Sequence, residues 1–190
     1  MPVQIGAKTH NFGDPTALLS DCHRRIEMFM GTLIAVAEVI DHPPTEATVR
    51  ALESALRYFA EAALKHTADE EESLFPRLRQ IRQAEIQTAF AKLKELEEEH
   101  RWAIALHEGI ERLGAQYLAT GALLGPEVDE FRNAARNLAS MYKRHISVED
   151  EWIFPLAGQM LSDVEKLAIA AEMASRRRVQ LVTDIPKFHK

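Results

Sequence analysis

Apolar residues recur along the chain at intervals of three and four, and short breaks rich in proline and glycine cut the series into segments. The first stripe is Leu19, Ile26, Met30, Leu33 and Ala37, opened by Asp14-Pro15, an N-cap side chain before a proline whose fixed φ suits the first helical position. His42-Pro43-Pro44 ends that helix, because proline has no N–H to give and its ring crowds the preceding turn. Thr45 can cap a second helix carrying Leu52, Leu56, Phe59 and Ala63, which the Phe75-Pro76 pair is expected to close. A long third helix runs through Ile86, Phe90 and Leu93 to about Ala119, before Gly121. The fourth starts near Pro126, passes Phe131, Ala135 and Leu138, and is expected to close at Phe154-Pro155. Ser162 to Glu165 has the form of a capping box and opens a shorter fifth helix that ends near Arg178, before a tail with Pro186. No segment reads as a strand. The pattern predicts an all-α fold: an up-down-up-down four-helix bundle over 14–160, an N-terminal extension over 1–13, and an additional C-terminal helix and tail over 161–190.

Composition narrows this picture without changing it. A chain of 190 residues with 46% hydrophobic residues and 8 glycines suits one domain with a sizeable core. The net charge of -6 argues against a nucleic-acid groove, and the basic cluster Arg176 to Arg178 reads as the positive end of the last helix. No apolar run approaches the roughly 18 to 20 residues of a membrane span, and no basic-then-apolar leader opens the chain, so no membrane contact and a cytoplasmic location are expected. The single cysteine, Cys22, excludes an intramolecular disulfide and a thiolate metal cage, and is expected to be a small buried hydrophobe.

Polar residues interrupt the apolar stripes at matching places. The second helix contains the string from His66 through Glu70 to Pro76, the fourth contains the string from His145 through Glu149 to Pro155, and both have the form H-x-x-x-E-[E/D]-E-x-x-F-P, 79 positions apart. Upstream, His23-Arg24 precedes the first string by 43 positions and His100-Arg101 precedes the second by 45. The chain is two copies of a helix pair. Neither copy can bury its apolar face alone, so the two are expected to pack about a pseudo-twofold axis with their matching residues at the centre.

The register supports this independently. The stripe of the second helix continues through Ala63 into His66 and Glu70, and that of the fourth through Tyr142 into His145 and Glu149. His23 falls between Leu19 and Ile26, and His100 follows Leu93 by seven residues. Four histidines and two glutamates therefore point inward. Burying so many polar groups is costly unless they satisfy one another or bind a cation. The i,i+4 spacing stacks each His and Glu one turn apart, about 5 to 6 Å between Cβ atoms, which suits adjacent metal ions. Imidazole and carboxylate without thiolate favour iron, manganese or zinc, and paired bridging carboxylates are typical of di-iron or di-manganese cores. Iron is the first expectation, with manganese and zinc behind it.

With these residues in place, the chain resembles the hemerythrin-like HHE cation-binding family from roughly Asp14 to Ala157. The resemblance implies that His23, His66, His100 and His145 are terminal ligands and that Glu70 and Glu149 bridge two non-haem iron ions, with an oxo or hydroxo group between them. The family's oxygen carriers have a fifth histidine one turn after the third-helix ligand, a position that is Ile104 here. Of about twelve positions on two near-octahedral irons, about two then stay open. The expected function is binding, sensing or reduction of dioxygen, nitric oxide or peroxide, and simple reversible oxygen carriage is in doubt. An iron-sensing or iron-donating regulatory or repair protein is the alternative, and a structural metal-binding interaction module the second alternative.

Other polar residues receive lesser roles. Glu71, Glu72, Asp150 and Glu151 are expected on a solvated face, and His10, His42 and His189 at exposed ends or breaks. Glu27 makes a third H-x-x-x-E and is expected on the helix surface, with a variable ligand as its other reading. His107 lies two turns beyond His100, about 10 Å of rise, too far to reach the same ion. Tyr142 stands where the first repeat has Ala63, and its hydroxyl is expected on a backbone carbonyl, or else near an open metal position.

Overall fold

The computed structural model describes residues 14–179, and all of their regular elements are helical. His10, Pro186, His189 and the expected N-terminal extension lie outside the described residues. Helix α1 spans Pro15–Val39 and is capped by Asp14, whose carboxylate accepts the N–H of Ala17 at 3.1 Å. Helix α2 is the continuous run 46–78: α-helical over Glu46–Tyr58, a π turn at Phe59–Ala63, α-helical over Leu64–Ala68, a second π turn at Asp69–Leu74, and a last turn Phe75–Leu78. Thr45 caps it through the N–H of Thr48. Helix α3 spans Ala84–Thr120 and stops at Gly121, whose φ of 74° is a left-handed conformation that costs glycine little. Helix α4 is the run 125–160, with Gly125–Val148, a π turn at Glu149–Ile153, and Phe154–Met160. Helix α5 spans Asp163–Arg176 and opens with the expected capping box between Ser162 and Glu165.

Each of the four long helices packs on its neighbours in sequence, and α1 closes the ring against α4, which is the up-down-up-down arrangement. The fifth helix lies against α1 and the π turn Asp69–Leu74. Its last turn is held there by charge. Arg176 Nη1 and Arg177 Nη2 donate to the buried Asp69 at 2.9 and 2.5 Å, so the basic cluster at the end of the last helix also ties that helix to α2. No helix among the described residues is long and apolar enough to cross a membrane.

The two prolines do not close their helices, contrary to expectation. In each case the helix widens first: the N–H of Phe75 bonds the carbonyl of Glu70, and that of Phe154 bonds Glu149, five residues back instead of four. A proline ring normally presses on the carbonyl four residues earlier. The wide turn relieves that pressure, so α2 and α4 continue past Pro76 and Pro155.

The core is divided. One apolar cluster gathers Ile26, Leu33, Leu52, Phe131 and Leu138, and a second gathers Leu19, Leu74, Phe75, Leu93 and Phe154. Along every long helix the chain crosses from one cluster to the other through a polar step: His23 between Leu19 and Ile26, His66 and Glu70 between Ala63 and Leu74, His100 between Leu96 and Ala103, and His145 and Glu149 between Met141 and Ile153. A layer of six polar side chains thus separates two hydrophobic halves.

Candidate metal centre

All six inward residues predicted from the sequence meet in that layer. His23, Glu70 and Glu149 are 0% exposed, and His66, His100 and His145 are also buried. Their nitrogens and oxygens converge: His66 Nε2 lies 3.0 Å from Glu70 Oε1, His145 Nε2 3.3 Å from Glu149 Oε2, His23 Nε2 3.1 Å from Glu149 Oε2, and His100 Nε2 3.5 Å from Glu70 Oε2. The donors fall into two groups, each with ligand atoms within 4.8 Å of one another: His23, His66, Glu70 and Glu149, and His100, His145, Glu70 and Glu149. Two histidines are private to each group and both carboxylates are common to the two. That is the donor pattern of a pair of cations spanned by two carboxylates.

The fit to metal is tested by the atoms that lack partners. His23 Nε2, His66 Nε2 and all four carboxylate oxygens of Glu70 and Glu149 are buried without a hydrogen bond. Leaving a buried polar group unsatisfied costs about 1 to 3 kcal/mol, so six such atoms would consume much of the roughly 5 to 15 kcal/mol net stability of a domain. Two cations side by side would accept all six lone pairs between them. Donors of this kind, imidazole and carboxylate without thiolate, suit a first-row divalent or trivalent ion.

Protons stand in for that cation electrostatically. Burial opposes a charge on His23, but Asp150, Glu149 and Glu70 outweigh it and push the imidazole up to about 11. Burial likewise opposes charge on His66 and His145, yet Glu70 and Glu149 lead the carboxylates that raise them to about 9 and about 10. Burial works to raise Glu70, and the histidines around it hold it well below the ordinary carboxylate range. Glu149 is lowered by His145 and His23 against both burial and the charge of Glu70.

The remaining nitrogens engage carboxylates that the helical pattern alone does not place at the centre. His23 Nδ1 donates to Asp150 at 2.9 Å, His100 Nδ1 donates to Glu71 at 2.8 Å, and His145 Nδ1 donates to Glu99 at 3.0 Å. Asp150 and Glu71 are therefore not simply part of a solvated face; each orients a histidine from a different helix. The signal was present, because both repeats carry a carboxylate directly after the inward glutamate, where it can reach across the bundle. Glu72 and Glu151 do stay on the surface, paired with Arg176 and Ser147. Glu27 is exposed and pairs with Arg24, which places it outside the centre.

His66 is the exception. Its Nδ1 has no hydrogen bond, and the group beside it is the thiol of Cys22. Cys22 precedes His23 as Glu99 precedes His100, so the thiol occupies in one repeat the position of the carboxylate in the other. Cys22 is buried as expected, although its neighbours are polar. Burial raises the thiol, but His66, Arg25 and Arg177 outweigh it and hold it below its usual value.

Tyr142 differs from its expectation as well. Its hydroxyl lies 2.9 Å from Nε2 of His107, not on a backbone carbonyl. Burial alone lowers His107 to about 4, so its imidazole is neutral and is absent from both donor groups.

Comparison with known proteins agrees with this geometry. A protein of Haemophilus influenzae described as an uncharacterized protein is 27% identical over 170 residues, which cover 89% of this chain and 93% of that one. The family model of the hemerythrin HHE cation binding domain matches residues 14–157, the stretch that carries all six converging side chains. The chain belongs to the hemerythrin HHE cation-binding domain family.

Proposed function

We propose that this protein is a cytoplasmic non-haem di-iron protein that binds, senses or reduces a small ligand: dioxygen, nitric oxide or peroxide. The sharing of Glu70 and Glu149 between two four-residue donor groups carries this reading, because it calls for two cations side by side. Iron suits the donor set, and when bound it supplies redox change and open coordination positions. His23 and His66 would hold one ion, His100 and His145 the other, with Asp150, Glu71 and Glu99 fixing the tautomers of three imidazoles.

The space left among these side chains supports a ligand of very few atoms. A cavity of about 10 Å³ is lined by His23, His66, His100 and His145 with Ala63 and Tyr142, close to the least volume that admits one water. Ile104, at the place of a carrier's fifth histidine, is 51% exposed and supplies no donor. The chain's own contribution is to bind the cations with preset imidazoles, to exclude bulk water from the layer, and to limit by size what enters it.

Metal analysis with an optical spectrum of aerobically purified protein tests the proposal. About two irons per chain, with near-ultraviolet charge-transfer absorption that azide or nitric oxide perturbs, is the expected result. One iron per chain, or zinc alone after anaerobic iron reconstitution, would overturn it.

A further inference from the structure

Two matching repeats predict two matching sides, yet one side of the bundle is open. Between α2 and α3 lies a cavity of about 430 Å³, whereas the cavity at the metal layer holds about 10 Å³. Ala63, Thr67, His100 and Tyr142 line both, so the larger space ends against the centre. The π turn Phe59–Ala63 forms part of its wall, and the corresponding stretch of the second repeat, 138–142, is ordinary α-helix within Gly125–Val148. This turn contributes no metal donor. At the inner end stand Tyr142 and His107, whose counterparts in the other repeat, Ala63 and Met30, are packed in the apolar core. Groove, π turn and polar pair therefore break the repeat together, in one place.

We propose that this groove is a second binding site, which takes a neutral, mostly apolar organic molecule bearing one hydroxyl or carbonyl group, its head on the Tyr142–His107 pair. The volume is that of a small-molecule site and corresponds to a ligand of roughly ten to twenty heavy atoms, far larger than the metal layer admits. The walls are apolar: Leu56, Phe59, Ala60, Leu64, Ala103 and Ile104. Leu64 and Ile104 are 61% and 51% exposed, so apolar surface at the mouth is uncovered. The head group can be read from hydrogen-bond capacity. A neutral imidazole and a phenol share two hydrogens over one contact, so either the Tyr142 hydroxyl or its oxygen lone pair is free for a ligand, depending on the tautomer of His107. Charge excludes the alternatives. Glu71 and Glu72 are already engaged by His100 and Arg176, and Glu108 and Glu111 stand beside the single Arg101, so the rim stays net negative and repels carboxylates and phosphates. A cation at the inner end would be buried against apolar walls and would compete with the metal ions that Glu70 and Glu149 would hold just beyond Tyr142.

The site stands on α2, α3 and Tyr142 whichever metal the centre holds, so its test is separate from that of the di-iron reading. The metal-loaded full chain is titrated with the neutral fluorophore N-phenyl-1-naphthylamine, followed by competition with 1-octanol and octanoate. Saturable binding of one probe per chain is expected, displaced at least tenfold more effectively by 1-octanol than by octanoate. Ala60→Trp fills the groove away from the metal donors and should weaken the probe tenfold or more with metal content and helicity retained. Should that variant misfold, Ile104→Trp makes the same test from the opposite wall. Tyr142→Phe should weaken 1-octanol about fivefold while leaving the probe little changed, the effect of one lost hydrogen bond. Absence of saturable binding, equal competition by octanoate, or unaltered binding in a folded groove-filling variant would overturn the proposal.

Discussion

Asp150 Oδ1 accepts the Nδ1 proton of His23 at 2.9 Å, so a carboxylate on α4 fixes the imidazole of α1. Glu71 on α2 does the same for His100 on α3. Because these contacts set the tautomer that leaves Nε2 free, Asp150→Ala and Glu71→Ala should each weaken metal retention about 10- to 100-fold. Glu72→Ala and Glu151→Ala should change it little. Competition with a calibrated chelator measures all four, and equal effects would show that the outer carboxylates do not orient the ligands.

Glu70 and Glu149 belong to both donor groups, whereas each histidine belongs to one. Glu70→Ala or Glu149→Ala should therefore reduce both bound metals together, while His66→Ala should leave a chain holding close to one. The metal-to-protein ratio of each purified variant decides the matter. A single remaining ion in the glutamate variants at full occupancy would remove them from the bridging role.

The two groups are unequal because a thiol stands where a carboxylate backs the other pair. His145 is held by Glu99, but His66 has only Cys22 beside it. A carboxylate partner makes an imidazole a stronger donor. Chelator should thus remove metal in two phases, the ion of His23 and His66 leaving first, and Cys22→Asp should slow that phase. One uniform phase, unchanged by the substitution, would count against the inequality.

Acid and base act oppositely on the chain with and without metal. In the metal-free chain His23, His66 and His145 are raised to about 11, 9 and 10, above their unfolded value near 6.5, so the native state holds extra protons. Their contribution is complete below about pH 6.5 and fades as pH rises through 9 and beyond. With metal bound those nitrogens are deprotonated in the native state, and the unfolded chain binds the extra protons below about pH 6.5, so stability rises with pH there. Urea unfolding of both forms at pH 6, 7.5 and 9 should show the stabilisation by metal growing at each step. A constant difference would mean that the imidazoles do not exchange protons for metal.

How much of this was legible in the sequence depended on what each residue answers to. Helices α1 and α3 end where Pro43 and Gly121 act locally, and the six donors were found because His23, His66 and their repeats replace apolar residues on a stripe. Pro76 and Pro155 misled because a π turn, which local propensity does not announce, makes room for the ring. Asp150 and Glu71 read as solvent-facing because helical phase locates a side chain around its own helix and says nothing of its reach to the next. The Tyr142–His107 contact joins α4 to α3, and only the packing of those helices creates it.

The polar layer between the two apolar clusters also makes the molecule mechanically uneven. Hydrophobic burial holds each end of the bundle, but at mid-height the helices are drawn together by donors that face one another across the axis. A cation there works as a rivet at the waist of four parallel rods. Bound cations would therefore hold the waist closed and slow amide exchange in the turns around His66 and His145.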